Sequence, residues 1–242
     1  MEAVFEVLLV ILFSGVLSAV SYGLRFLTAA GAAVSFAVGV IVGAFGGIEW
    51  FVLLILFVGA GFAATRAGFS KKKERGLQEG VHGERTHRNI LGVSIAPCVM
   101  AVVAFVAGDD QRLLTSIGFI ASISVAAADT LASEIGVRDR NVWLCTTFRK
   151  VPPGTDGGVS VLGFVVASAG AIVTSVLGWL ILYRGLDPLL LIPFAAGLAG
   201  CYIDSLFGAT IESRGWISKY TNNALTGILG AIIAMCVAVF FI

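Results

Sequence analysis

Three carboxylates stand inside otherwise apolar sequence. Asp129 and Glu134 belong to Ala126-Ala127-Ala128-Asp129-Thr130-Leu131-Ala132-Ser133-Glu134-Ile135-Gly136, and Asp204 opens Asp204-Ser205-Leu206-Phe207-Gly208-Ala209-Thr210-Ile211-Glu212. A charge at the centre of a bilayer costs roughly 2.5–3.5 kcal/mol on insertion scales. Acids in such surroundings therefore mark either a buried hydrogen-bonded network or a functional site. At about 100° per residue, Asp129, Ser133 and Gly136 share one helix face, and Thr130 and Glu134 share the next. The small residues on that face admit a close neighbour. Carboxylates without a His or Cys cluster suit a hard cation, most simply Mg²⁺, with Asp129, Glu134 and Asp204 as its expected ligands. The echo of Asp129-Thr130-Leu131 in Asp204-Ser205-Leu206 implies two parallel units that bring these acids together.

A second pattern is Arg149-Lys150-Val151-Pro152-Pro153-Gly154-Thr155-Asp156-Gly157-Gly158-Val159-Ser160, followed at once by a long apolar run. Backbone N–H groups at a helix N-terminus form an anion site, and Lys150 adds a point charge. Gly154, Thr155, Asp156, Gly157, Gly158 and Ser160 are thus expected to bind phosphate. The competing reading is a Pro-Gly connection in which Ser160 or Asp156 caps the helix. The pattern lacks the Gly-Lys-Ser/Thr of a Walker A loop.

Further cations lie at Thr65-Arg66, Lys71-Lys72-Lys73 and Arg85-Thr86-His87-Arg88-Asn89. Arg66, Lys73, Arg85 and Asn89 could hold the oxygens of a phosphate. His82 and His87 read as loop residues. Asn222-Asn223 precede the last apolar run, where they either cap a helix or face the site beside Asp204, binding phosphate.

These residues need elements to position them. The chain has 242 residues, 58% hydrophobic and 13% charged, with mean hydropathy +0.98. A soluble domain carries about 25% charged residues. So few charges exclude a soluble enzyme, a disordered chain and a disulfide scaffold, and the net charge of +1 gives no pull toward nucleic acid. The four cysteines, at 98, 145, 201 and 236, form no close pair and read as small apolar residues. The first apolar run lacks a basic start and reads as a retained helix rather than a signal peptide.

The expected fold is all-α, one membrane domain over 1–242 with about eight spans near 3–20, 27–47, 49–65, 90–107, 113–136, 160–183, 187–208 and 223–242. Seven is the alternative, because the connections at Arg25 and Glu49 are short. With eight spans, every Lys and Arg except Arg112 and Arg184 falls on one face. The positive-inside rule makes that face cytoplasmic and puts both termini outside. The segments 66–88 and 137–159 are the long loops of that face, expected to form the polar site.

The run Asp129 to Gly136, followed by Pro153 to Ser160, resembles the integral-membrane family of domain of unknown function 92, which includes a plant phytyl-phosphate kinase of the chloroplast envelope. Ala64-Thr65-Arg66, Arg88-Asn89, Asp204-Ser205 and Asn222-Asn223 fit the same family, over roughly 30–240. The order Asp129, Ala132, Gly136, Lys150, Gly154, Gly158, Ser160 is also similar to dolichol-type kinases and phosphatidate cytidylyltransferases, although Pro153-Gly154-Thr155-Asp156 replaces their usual Thr-x-Glu-Gly run. The resemblance implies a kinase that moves a phosphoryl group from CTP or another nucleoside triphosphate to an isoprenyl monophosphate such as phytyl or geranylgeranyl phosphate. Asp129, Glu134, Asp204 and Lys150 would be its catalytic groups, the loop from Gly154 to Ser160 would hold the nucleotide, Arg66, Lys73, Arg85 and Asn89 would hold the acceptor phosphate, and Mg²⁺ and membrane lipid would be its partners. Two alternatives stay open: a CTP-dependent lipid cytidylyltransferase, and a transporter or flippase.

Overall fold

The computed structural model describes residues 2–74, 76–78, 80 and 83–242. Its helices are α1 (Glu2–Gly23), α2 (Ala29–Gly46), α3 (Ile48–Glu74), α4 (His87–Ala107), α5 (Arg112–Ile135), α6 (Val161–Tyr183), α7 (Leu191–Phe207) and α8 (Lys219–Ala238). Among the described residues, eight helices are long and apolar enough to cross a membrane. Arg25 lies between α1 and α2 in a left-handed conformation (φ 59°), so it ends a hairpin of helices rather than bending one long helix.

The helices are arranged around α5. The other seven have 17–44% of their membrane windows buried, whereas α5 has 83%. It packs against α3, α4, α6, α7 and α8, while α2 lies outside against α4 and α3, and α1 lies against α2. A span enclosed in this way need not be apolar all round. Accordingly, α5 carries Thr115, Ser116, Ser122, Ser124, Thr130 and Glu134 as buried polar residues.

Close approach of α5 to its neighbours rests on glycine. A Cβ on Gly197 of α7 would collide with Ser124, and one on Gly200 or on Gly230 of α8 would collide with Val125. Gly170 of α6 lies against Leu131 and the Ala127 carbonyl. Where α5 ends, Gly136 meets Gly163 backbone to backbone.

Contacts sort the connections onto two faces. On one, Thr28 N–H donates to the Arg85 carbonyl (3.1 Å) and Arg85 N–H to that of Phe26 (2.8 Å), joining the α1–α2 turn to the α3–α4 connection. On the other, the Arg112 guanidinium donates to the Gly46 carbonyl and lies 4.9 Å over the Trp50 ring, clipping α4–α5 to α2–α3.

Three expectations need correction. Helix α3 does not stop near 65 but continues to Glu74, because Arg66 to Glu74 has no helix breaker beyond Gly68 and its basic residues tolerate water. Helix α8 begins at Lys219, capped by the Ser218 hydroxyl on Thr221 N–H (3.2 Å), which puts Asn222 and Asn223 inside it. The segment 137–159 is not plain loop. It holds a three-stranded antiparallel sheet of β1 (Val142–Leu144) between β2 (Lys150–Val151) and β3 (Gly158–Val159), with Trp143 opposite both Lys150 and Val159.

If glycine sets the α5 contacts, Gly197→Val and Gly200→Val should each cost about 1–3 kcal/mol through overpacking. Gly59→Ala, where a Cβ meets nothing within 4 Å, should cost nothing. Thermal unfolding of the detergent-purified variants checks the contrast.

Candidate functional site

The face that holds the sheet also holds the polar ends of α4, α5, α7 and α8. Asp129 lies about two turns before the end of α5, and Asp204 one turn before the end of α7. Helix α8 stands between them. Asn223 donates its amide to Asp129 Oδ2 (3.3 Å), and the Thr226 hydroxyl donates to Asp204 Oδ2 (3.2 Å). One helical turn of α8 therefore touches both acids, as residues three apart on one face allow.

Asp129, Asp204, Asn223 and Thr226 line one small cavity of ≈ 10 Å³, closed by Ser122, Val125 and Gly227. That is the room of about one water-sized sphere. A second cavity of ≈ 20 Å³ lies beside it and shares Asp129 and Asn223. Its other polar walls are Arg85, Asn89, Thr130, Ser133, Glu134, Lys219 and Tyr220. One cavity is thus edged by two carboxylates, and the other adds two cations.

The expected trio of metal ligands does not converge. Among the described residues, no group of three His, Cys, Asp or Glu side chains could hold a metal ion. Glu134 is committed elsewhere: Lys72 Nζ lies 2.8 Å from Oε2 and Arg85 Nη2 3.5 Å from Oε1. Lys72 sits on the part of α3 that was expected to be loop, and it also reaches the Ser133 carbonyl (3.5 Å). A buried carboxylate needs such partners, because leaving water costs several kcal/mol per ion. Asp129 and Asp204, by contrast, combine two carboxylates with amide and hydroxyl neighbours. That all-oxygen donor set fits Mg²⁺, which commonly takes one or two carboxylates and completes its shell with water and phosphate oxygens.

Asn222 faces away from both cavities. It is 1% exposed, and its amide donates to the Asp204 carbonyl (3.0 Å) and to Glu212 Oε2 (2.9 Å). It ties α8 to the backbone that carries Asp204 and to the π-helical turn Gly208–Glu212 that follows. A π turn inserts one extra residue into a helix and recurs at functional sites.

The glycine loop packs onto that π turn. A Cβ on Gly157 would collide with Ala209, one on Gly208 would meet Gly157 N at 2.8 Å, and Gly154 lies against Leu77. Gly154 and Gly157 have φ of 87° and 72°, where a side chain would be strained. Ser160 takes the capping alternative, since its hydroxyl accepts from Gly163 N–H (3.0 Å). Leu162 N–H points to Asp139 Oδ2 (3.5 Å), so two of the first donors of α6 already have partners. Thr155 N–H and its hydroxyl turn to the Pro152 carbonyl (3.3 and 2.8 Å), and Gly158 N–H donates to the Thr155 carbonyl (2.9 Å). Asp156 and Lys150 are exposed, and Lys150 Nζ donates to Asn141 Oδ1 (2.9 Å). Neither lines the two cavities.

Of the four expected acceptor-phosphate residues, the fold brings Arg85 and Asn89 to the second cavity. Asn89 also closes the start of α4, with Oδ1 accepting from Thr86 N–H (2.9 Å) and its hydroxyl (2.8 Å). Arg66 is not there. It lies 4.7 Å over the Phe26 ring and donates to the Leu24 carbonyl (3.3 Å), holding the α1–α2 turn. Lys73 is exposed near the end of α3. His87 opens α4 instead of sitting in a loop. Arg75 and His82 lie outside the described residues, as does the Lys71 side chain.

Lys219, Tyr220 and Thr226 escaped the sequence reading. The signal was the spacing Tyr220, Asn223, Thr226, Gly227, one helical face that becomes visible only once α8 is started at 219.

Comparison with known proteins decides the family. The chain matches the family described as Integral membrane protein DUF92 over residues 12–233. This protein belongs to the DUF92 family of integral membrane proteins. An uncharacterized membrane protein of Methanocaldococcus jannaschii is 32% identical over 80% of this chain and 78% of its own length. One from Synechocystis is 30% identical over 87% and 82% respectively. The chloroplastic protein VTE6 of Arabidopsis thaliana is 28% identical over 89% of this chain and 66% of its own length. No solved structure matches.

The pairing at Glu134 makes a stability prediction for this DUF92 protein. Glu134→Ala should destabilise it by about 3–5 kcal/mol, because Lys72 and Arg85 lose their buried counter-charge. Chemical unfolding in detergent measures this, and a loss under about 1 kcal/mol would be the behaviour of a surface pair instead.

Proposed function

We propose that this DUF92 protein is a membrane phosphotransferase that converts an isoprenyl monophosphate to the diphosphate, using CTP or another nucleoside triphosphate. The observation that carries this reading is the meeting of two cavities at Asp129 and Asn223, one edged by Asp129 and Asp204 and the other bringing Arg85 and Lys219 beside Asp129 and Glu134. Phosphoryl transfer between anions is mainly positioning and neutralisation of charge, and it calls for oxygen ligands beside cations.

In this reading Asp129 and Asp204 hold Mg²⁺, with Asn223 and Thr226 fixing the two carboxylates. When bound, the metal neutralises charge on the transferring phosphoryl group. Arg85, Asn89 and Lys219 receive the acceptor phosphate. Glu134 holds Arg85 and Lys72 in place rather than the metal. Lys150 and the 153–160 loop approach the nucleotide from the water side, above the π turn that extends α7. A phosphate monoester has its second pKa near about 6, so the acceptor is already largely a dianion at neutral pH and needs no dedicated base. The isoprenyl tail stays in lipid between the spans. The basic loops make this face cytoplasmic.

The test is a product assay in lipid, with γ-labelled and α-labelled CTP, Mg²⁺ and phytyl, geranylgeranyl and longer prenyl monophosphates. Label from the γ position in a prenyl diphosphate is expected. Transfer of α label to the lipid would make the protein a cytidylyltransferase, and no turnover by folded protein would favour transport. Asp129→Asn should reduce turnover by at least about 10³-fold, in line with the loss of a charge-stabilising group, while the unfolding profile is kept. Full activity in that variant would remove Asp129 from the mechanism.

A further inference from the structure

Two large aromatic side chains on the site-bearing face stand clear of the protein. Phe148, at the tip of the β1–β2 hairpin, is 77% exposed, and Trp216, in the α7–α8 connection, is 71% exposed. Phe148 has φ 53°, a conformation unfavourable to any residue with a Cβ, so the turn holds this ring outward against its own backbone preference.

Their depth is bounded by hydrogen bonds. Trp216 N–H donates to the Ile211 carbonyl (3.1 Å) and Gly215 N–H to that of Glu212 (2.8 Å), which keeps the connection folded against the end of the span. The Cys145 thiol donates to the Ser205 carbonyl (3.3 Å), and Ser205 lies seven residues, about 10 Å, before Glu212 along the α7 span. Phe148 N–H donates to the Leu144 carbonyl (2.8 Å), so the hairpin tip stays close to its base. The headgroup layer beyond the hydrocarbon is only about 5–8 Å thick on each side. Both rings are therefore within reach of that layer, where aromatic side chains gather because one part is apolar and the other wet.

Charge identifies the layer's chemistry. Arg149 follows Phe148 directly, and the Arg214 guanidinium lies 5.5 Å from the centre of the Trp216 ring. Residues 140–151 and 213–220 contain no Asp or Glu. We infer that Phe148 with Arg149 and Trp216 with Arg214 form a two-point anchor in the headgroup layer that binds anionic phospholipid of the protein's own bilayer. The anchor holds the sheet, and with it the loop packed on the π turn, flat against the membrane surface. It stands on depth and charge alone and does not depend on the phosphotransferase reading.

The experiment uses the full chain in nanodiscs of phosphatidylcholine alone or with roughly one third phosphatidylglycerol, the anionic probe. Fluorescence due to Trp216 is the difference between the wild type and Trp216→Phe. Phe148→Trp in the Trp216→Phe background reports the hairpin. Both signals are expected to be quenched by lipid brominated near the top of its acyl chains and protected from aqueous iodide. Quenching by iodide and not by bromolipid overturns the proposal. So does protection from both, which would mean that a protein, such as a second copy, covers the rings. Arg149→Gln with Arg214→Gln should weaken phosphatidylglycerol retention, read by native mass spectrometry, by about fivefold per charge. These exposed substitutions should leave unfolding unchanged, and unchanged retention would also overturn the anionic-lipid assignment.

Discussion

Everything polar in this protein depends on the enclosure of α5. A helix surrounded by five others meets almost no lipid, so its last two turns can hold Asp129, Thr130, Ser133 and Glu134 without facing hydrocarbon. Enclosure in turn demands small residues where backbones approach, and the glycines of α6, α7 and α8 supply them at Leu131, Ser124 and Val125. The helix that carries the acids is therefore also the helix that organises the bundle. A substitution that loosens its packing would disturb the site through the same contacts.

The two acids nearest the membrane interior are treated differently from the third. Asp129 and Asp204 each receive a hydrogen bond from a single turn of α8, from the Asn223 amide and the Thr226 hydroxyl. Glu134 receives two cations and is neutralised. The pairing at Glu134 fixes neighbouring side chains. It also explains why Lys72 points back from the far end of a long α3: the buried carboxylate, rather than the loop, determines its direction.

The loops are built onto the helix ends instead of hanging from them. Gly157 fits against Ala209, Cys145 binds the Ser205 carbonyl, and Asn222 joins Asp204 to Glu212. The segment 139–160 thus shares its support with Asp204. Glycines in the 154–158 run do their visible work in this packing and in the turns at Gly154 and Gly157.

Much of the architecture was legible in the sequence because lipid imposes a coarse rule. A span needs about 20 apolar residues, so eight runs and their basic connections could be read directly. Asp129, Glu134 and Asp204 stood out because a polar residue in such a run is costly. The finer features were not legible, for three physical reasons. A helix such as α3 can continue into water on basic residues, so hydropathy alone ended it too early. Strands of two or three residues, as in 142–159, have too short a pattern to register before tertiary contacts select them. Ion-pair partners 62 positions apart, as for Lys72 and Glu134, carry no local mark. By itself the sequence determined the membrane class, the face on which charge collects and the acids that must be accommodated, and it left the spans at eight or seven. Only the tertiary structure decided which acid takes Lys72 and Arg85 and which acids take Asn223 and Thr226, because that choice is made by side chains arriving from α3, the α3–α4 connection and α8 at distances set by helix packing.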